Sequence, residues 1–149
     1  MYTTITVSTA QEAFDRVVDR LFDGRGQAYN GDEGLCYYRR PGDLLPCAIG
    51  ALLETDDDEG WTGVRAAVHG LLPGMSDAEM SLDEDAQRFI ENHVELLTRL
   101  QGIHDTSAYW AGDMPSAQMV IELVQAAKEF KLNLNALTKR SDHPAEGPF

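Results

Sequence analysis

Two tyrosines run directly into two arginines at Tyr37-Tyr38-Arg39-Arg40, and Cys47 follows seven residues later. Arginine presents a planar donor fork that fits phosphate or carboxylate. Tyrosine rings stack on bases and carry a hydroxyl. A helix beginning near Pro46 would add free N–H groups to the same anion. With three more distant residues these make a candidate ligand-binding set: Tyr37, Tyr38, Arg39, Arg40, Cys47, Trp61, His104 and Trp110. The alternative is that a tyrosine packs inward while the arginines pair with carboxylates. Trp61, Tyr109 and Trp110 are either core or pocket lining, and spacing does not separate the two.

Other residues with chemical potential give weaker patterns. Cys36 and Cys47 are compatible with two free thiols, a disulfide across the turn, or half of a zinc site. Their C-x10-C spacing is not that of a zinc knuckle, and buried thiols between strand and helix are the expectation. Cys47 near a helix N-terminus has the setting of an activated nucleophile, but no base lies beside it in sequence. His93 and His104 share a face of one expected helix, at roughly 16 Å, too far apart to ligate one metal. His104-Asp105 resembles the dipeptide of metal phosphohydrolases, but only His69, His93, His104 and His143 exist to complete such a site. A partly buried histidine near a helix end is the expected role. Asp56-Asp57-Asp58-Glu59 lacks the alternating ligands and central glycine of an EF-hand and reads as a solvated loop. No catalytic set, metal site or cofactor motif is legible, so none is expected.

These residues must be positioned by a mainly α, small helical domain, with α+β as the alternative class. Ser8 or Thr9 caps a helix over residues 10–22, with Gln11 and Glu12 completing two overlapping capping boxes. Ala10, Ala13, Phe14, Val17, Val18, Leu21 and Phe22 form its apolar stripe, and Gly24 stops it. A glycine-rich loop leads to a short strand over 35–39. This β element lies between the first two helices. Pro46 then opens a short helix over 46–53. An acidic loop, a brief helix over 63–69 and a further capping box at Ser76–Glu79 follow. The longest helix spans about 83–104, with Phe89, Ile90, His93, Val94, Leu97, Leu100 and Ile103 facing the core. After a loop over 105–113, Asp113 caps a last long helix whose core face is Ala117, Val120, Ile121, Val124 and Ala127. Residues 130–134 form an extension or a turn. One globular domain over 1–140 and a disordered tail over 141–149 complete the expectation.

Composition narrows the function classes. The 149 residues carry 25 Asp+Glu against 12 Lys+Arg, a formal charge of −13. This argues against direct nucleic-acid binding, which needs a basic surface, and against attraction to anionic membranes. The longest apolar run, residues 47–53, falls far short of the ~20 residues that span a bilayer. Residues 1–10 lack the pattern of a signal peptide, and two cysteines do not make a disulfide scaffold, so a cytoplasmic location is expected.

The run Cys36-x-Tyr38-Arg39-x-Pro41-Gly42, followed by Cys47-Ala48-Ile49-Gly50-Ala51-Leu52-Leu53, resembles a family of small phage and prophage proteins. The family pattern is C-x-Y-R-x-P-x-G-x-K-C-A-I-G-x-L-I. Its leading amphipathic helix resembles residues 9–22, and its L-Q-x-I-H-D segment matches Leu100-Gln101-Gly102-Ile103-His104-Asp105. The resemblance spans roughly 9–135. Pro46 stands where the pattern has a basic residue, and the acidic stretch over 54–59 replaces a P-D-E-like segment. The resemblance implies a phage accessory context in a bacterial host and no particular reaction. Three functional readings follow. The first is a binder that sequesters a small anionic, nucleotide-like host immune signal. The second is an acidic inhibitor of a basic, nucleic-acid-binding host protein, with Asp56–Glu59 and Asp83–Asp85 imitating phosphates. The third is a small enzyme using Cys47 or His104. A homo-oligomer is compatible with each.

Overall fold

The computed structural model describes residues 3–30, 35–55 and 82–141. Within them the chain is mainly helical with short β elements, as its periodicity predicts. The first strand, β1 (Thr4–Ile5), leads into α1 (Ala10–Leu21). Thr9 is the N-cap of α1, its hydroxyl accepting from the Glu12 N–H at 3.1 Å. Glu12 reaches back to Ser8, whose hydroxyl donates to it at 2.8 Å. One capping box therefore forms, not two overlapping ones, because a helix has a single N3 position to close it. These bonds hold the Glu12 carboxyl below its ordinary range, the Ser8 hydroxyl most of all. Phe14, Val17, Val18 and Leu21 are wholly buried. Each contributes about 1.5–3 kcal/mol by leaving water.

After α1 the chain makes a hairpin of β2 (Tyr29–Asn30) and β3 (Leu35–Cys36). An isolated bridge joins Arg39 to Pro46. The helix expected over 46–53 is instead a single 3-10 turn, Gly50–Leu52, running straight into β4 (Leu53–Glu54). Two long-range contacts overrule the local pattern. Thr4 and Ile5 pair with Glu54 and Leu53, and the Thr6 N–H donates to the Leu52 carbonyl at 2.8 Å. Once Leu53 is held in a ladder it cannot continue a helix. The expected 63–69 helix, the Ser76–Glu79 box, the Asp56–Glu59 loop, Trp61, His69 and His143 lie outside the described residues.

The single helix expected over 83–104 is two, α2 (Glu84–Asn92) and α3 (Val94–Asp105). His93 breaks it, with φ −125° and ψ 24°, its N–H shared between the Phe89 and Ile90 carbonyls. The break lets two partners be satisfied: α2 packs on β1, while α3 packs on α1 and on the helix after it. Asp83 caps α2 by accepting from the Ala86 N–H at 2.8 Å. Beyond α3, a 3-10 turn over Ser107–Tyr109 leads to a hairpin of β5 (Trp110–Ala111) and β6 (Met114–Pro115). That hairpin uses Asp113 in its turn. Ser116, not Asp113, is thus the N-cap of α4 (Ala117–Glu129). The buried face of α4 is Met119, Val120, Leu123, Ala126 and Ala127. Of the expected face, Val120 and Ala127 are buried, Val124 is half-buried, and Ala117 and Ile121 face solvent. Residues 130–134 form a turn, with Lys131 in the left-handed region and the Leu132 N–H returning to the Ala127 carbonyl at 2.8 Å. A last helix, α5 (Asn135–Ser141), packs on α1 and was not foreseen. Residues 142–149, most of the expected disordered tail, lie outside the described residues.

Candidate functional site

The irregular 37–54 stretch leaves carbonyl oxygens with lone pairs to fill, the Gly50 oxygen taking the Leu53 N–H within its 3-10 turn, and buried carbonyls need partners. Two arginines supply them. Arg39 donates from Nη1 to the Gly50 carbonyl at 2.7 Å and from Nη2 to the Leu53 carbonyl at 3.1 Å. It thereby clamps both ends of the 3-10 turn. Arg20, on α1 and nearly fully buried, donates from Nε to the Pro46 carbonyl at 2.7 Å and from Nη2 to the Gly26 carbonyl at 2.6 Å. Its Nη1 pairs with Asp23 at 3.2 Å. Burial pushes the Arg20 guanidinium below its ordinary value, and Asp23 pulls it back up.

Gly50 is the point of closest approach. A Cβ there would run into the Tyr38 carbonyl oxygen and stand 2.8 Å from Arg39 Nη1. Cys47 is a fully buried free thiol whose sulfur accepts from the Gly50 N–H at 3.2 Å. Burial pushes that thiol up to about 12. At neutral pH it is therefore a packed, protonated thiol rather than a nucleophile poised by a helix end. The Cys36–Cys47 disulfide alternative does not form, since Cys47 is free.

A second set of buried bonds lies on α3. His104 is wholly buried. Its Nε2 accepts from the Ala28 N–H at 3.0 Å, and its Nδ1 contacts Asp105 Oδ1 at 2.8 Å. A backbone N–H can only donate, so Nε2 is bare and Nδ1 carries the proton that goes to Asp105. Asp105 Oδ1 also accepts from Gln101 Nε2 at 2.7 Å, and Gln101 Oε1 accepts from the Ile49 N–H at 3.1 Å. The His104 carbonyl accepts from Trp110 Nε1 at 2.8 Å and from Gln27 Nε2 at 2.9 Å. Trp110 meets the His104 ring edge-on, centroids 5.8 Å apart. Burial lowers the His104 imidazole, with Asp105 acting in the opposite direction.

Most of the predicted residues are thus brought together, but as an interior brace. Tyr37 and Tyr38 are both buried, which answers which tyrosine faces the core. Arg39, Cys47 and Gly50 form one knot. His104, Trp110 and Ala28 form another. Gln101 links α3 to Ile49, and Arg20 links the 26–28 loop to Pro46. Arg40 stays nearer the surface, paired with Asp43 and donating to the Gln27 carbonyl at 3.2 Å. That pairing holds the Asp43 carboxyl at about 2. Trp61 lies outside the described residues. His104 spends both ring nitrogens internally, which removes the metal-ligand geometry of its His-Asp dipeptide. Among the described residues no cluster of His, Cys, Asp and Glu can hold a metal ion. His93 lies at the helix break, half-buried against Phe89, rather than on one face with His104.

Arg20 and Gln101 are the residues that sequence reasoning missed. A signal for Arg20 existed: a lone cation set on the apolar stripe of α1 beside Val17 and Leu21. Surface clefts gather elsewhere, around the α2–α3 break, lined by Glu91, Asn92, His93, Val94, Glu95 and Phe130. No helix among the described residues is long and apolar enough to cross a membrane. The class that fold and site define is a small, mainly helical domain braced by buried arginine and histidine bonds. No protein-family model, curated protein or solved structure matches this chain.

Proposed function

We propose that this chain acts by binding rather than by catalysis, as a phage-type accessory protein whose acidic exterior docks on a basic host protein. The observation that carries this reading is the inward commitment of Arg20 and Arg39. Donors of both end on backbone carbonyls, and Arg20 also pairs with Asp23, so one of the chain's cations is buried and a second half-buried. The carboxylates point the other way. Glu84, Asp85, Glu91 and Glu95 are exposed along α2 and the start of α3, with Arg88 alone among them paired to Glu84 and Asp85. A surface of this sign accelerates encounter with a basic partner. The same commitment weighs against the ligand-sequestering reading, whose arginines and tyrosines are occupied or buried. It weighs likewise against an enzyme built on Cys47 or His104. Within the acidic run Asp83 is a helix cap, so Glu84 and Asp85, solvent-facing and sharing Arg88 between them, are the members that can meet a partner.

Affinity capture from the bacterial host, paired with native mass spectrometry of the purified protein, tests the reading. A captured basic protein should be released by salt and lost in the combined variant Glu84→Gln, Asp85→Asn, Glu91→Gln, Glu95→Gln, while the variant keeps the wild-type fold by circular dichroism. A bound mass of a few hundred daltons that depends on Arg39 or Arg40 would overturn it in favour of ligand sequestration.

A further inference from the structure

We infer that His104 is an acid-sensitive latch: adding a proton to its Nε2 opens the Ala28 contact that ties the 26–29 segment to the ring on α3. The geometry leaves one outcome for that proton. Nδ1 already donates to Asp105. Nε2 is an acceptor, 3.0 Å from the Ala28 nitrogen, in a position with no solvent exposure. Protonated Nε2 becomes a donor facing a donor, so the Ala28 contact must open.

The segment has other ties as well: the Tyr37 N–H donates to the Ala28 carbonyl at 3.2 Å, Tyr29 pairs with Cys36, the Gln27 side chain donates to the His104 carbonyl at 2.9 Å, and two cations reach its backbone. The Gly26 carbonyl accepts from Arg20 and the Gln27 carbonyl from Arg40. Opening the latch therefore removes one buried backbone tie beside two guanidinium groups, each of which keeps a carboxylate partner, Asp23 for Arg20 and Asp43 for Arg40. The charged groups facing the ring are Asp105 from its own helix, which favours the imidazolium, and Arg20 from α1, which opposes it. Cys47 on the 46–50 turn is a neutral thiol, and Trp110 and Gln27 carry no charge. Because the neutral ring is the form the folded state selects, the contribution is complete above about 6.5, the ordinary histidine value. It is lost as pH falls below that towards the lower value of the folded state.

The test is nuclear magnetic resonance of the whole chain, labelled at histidine and at backbone nitrogen, from pH 7.5 to 4.5. Imidazole nitrogen shifts at pH 7.5 should show bare Nε2 and protonated Nδ1 at His104. As Nε2 gains its proton, protection of the Ala28 amide, corrected for intrinsic exchange, should fall about tenfold per pH unit. Amides of Val17 and Leu100 should keep their protection over that range. In His104→Gln, whose amide oxygen can accept from Ala28 and does not titrate, protection at Ala28 should be flat. The inference is overturned if Ala28 stays protected after Nε2 protonates, if all three amides open together, or if His104→Gln retains the wild-type slope. Should that variant not fold, coincidence of the two events in the wild-type chain decides alone.

Discussion

Arg39 and Arg99 carry the same side chain and sit in opposite regions of this chemistry. Arg39 belongs to the irregular 37–54 stretch and donates to the carbonyls of Gly50 and Leu53. Arg99 belongs to the regular α3–α4 face and pairs with carboxylates, Glu122 at 3.0 Å and Glu129 at 3.4 Å. The difference lies in what each backbone leaves undone. Helices α3 and α4 satisfy their own carbonyls, so an arginine on their surface finds only side chains. A 3-10 turn between a bridge and a strand satisfies few, so the nearest guanidinium becomes part of the fold. Arginine in the first region replaces secondary structure; in the second it decorates it.

Removing Arg39 should break the comparison most severely. Arg39→Ala takes charged donors from two part-buried carbonyls, leaving the Gly50 oxygen the Leu53 N–H of its own turn, and should cost about 3 kcal/mol in urea unfolding, at the upper end for bonds to a charged group. Arg39→Lys should recover less than half of that, since one ammonium does not span the two acceptors. Equal stability of Arg39→Ala and Arg99→Ala would sink the distinction. Gly50→Ala attacks the same knot by steric means, forcing the Tyr38 carbonyl or Arg39 to move. A loss of about 2 kcal/mol is expected, within the range for overpacking. A midpoint unchanged from wild type would mean that the turn has slack there.

Smaller effects sharpen the picture on the regular side. Thr9→Ala removes the N-cap of α1 and should lower stability by about 1 kcal/mol. Arg99→Ala should cost about 0.5 kcal/mol and lose even that in molar salt, as half-exposed ion pairs do. Arg40 lies between the two regimes, on a carbonyl and a carboxylate at once. Arg40→Gln should let the Asp43 carboxyl rise from about 2 towards the ordinary aspartate range, followed by carbon shifts in an acid titration. With its depressed value, Asp43 adds stability above the ordinary range, which fades as pH drops through about 2. The contribution is small because Asp43 is largely in solvent.

Legibility followed the range of the interactions. The Thr9–Glu12 box and the α1 stripe were readable because capping and periodicity act within four residues. The candidate residues 37–47 were found, but their direction was not. Nothing in Tyr38-Arg39-Arg40 states that the carbonyls of Gly50 and Leu53 will be open to a side-chain donor. That depends on Leu53 pairing with Ile5, 48 positions earlier in the chain. The same holds for Ser116 displacing Asp113 as a cap, since only the β5–β6 hairpin removes Asp113 from contention.

By itself, then, the sequence determined the helical class, the start of α1, the acidic balance and the residues that stand out chemically. These are properties of composition and of neighbours along the chain. The tertiary structure decided that 46–53 would be a turn rather than a helix, that His93 would break a helix, and that Arg20, Arg39 and His104 would point inward. The break at His93 depends on α2 and α3 packing against different elements, and the turn and the inward side chains on buried backbone groups finding partners beyond their own local stretch. Their desolvation cost, which no local pattern encodes, sets where those side chains go.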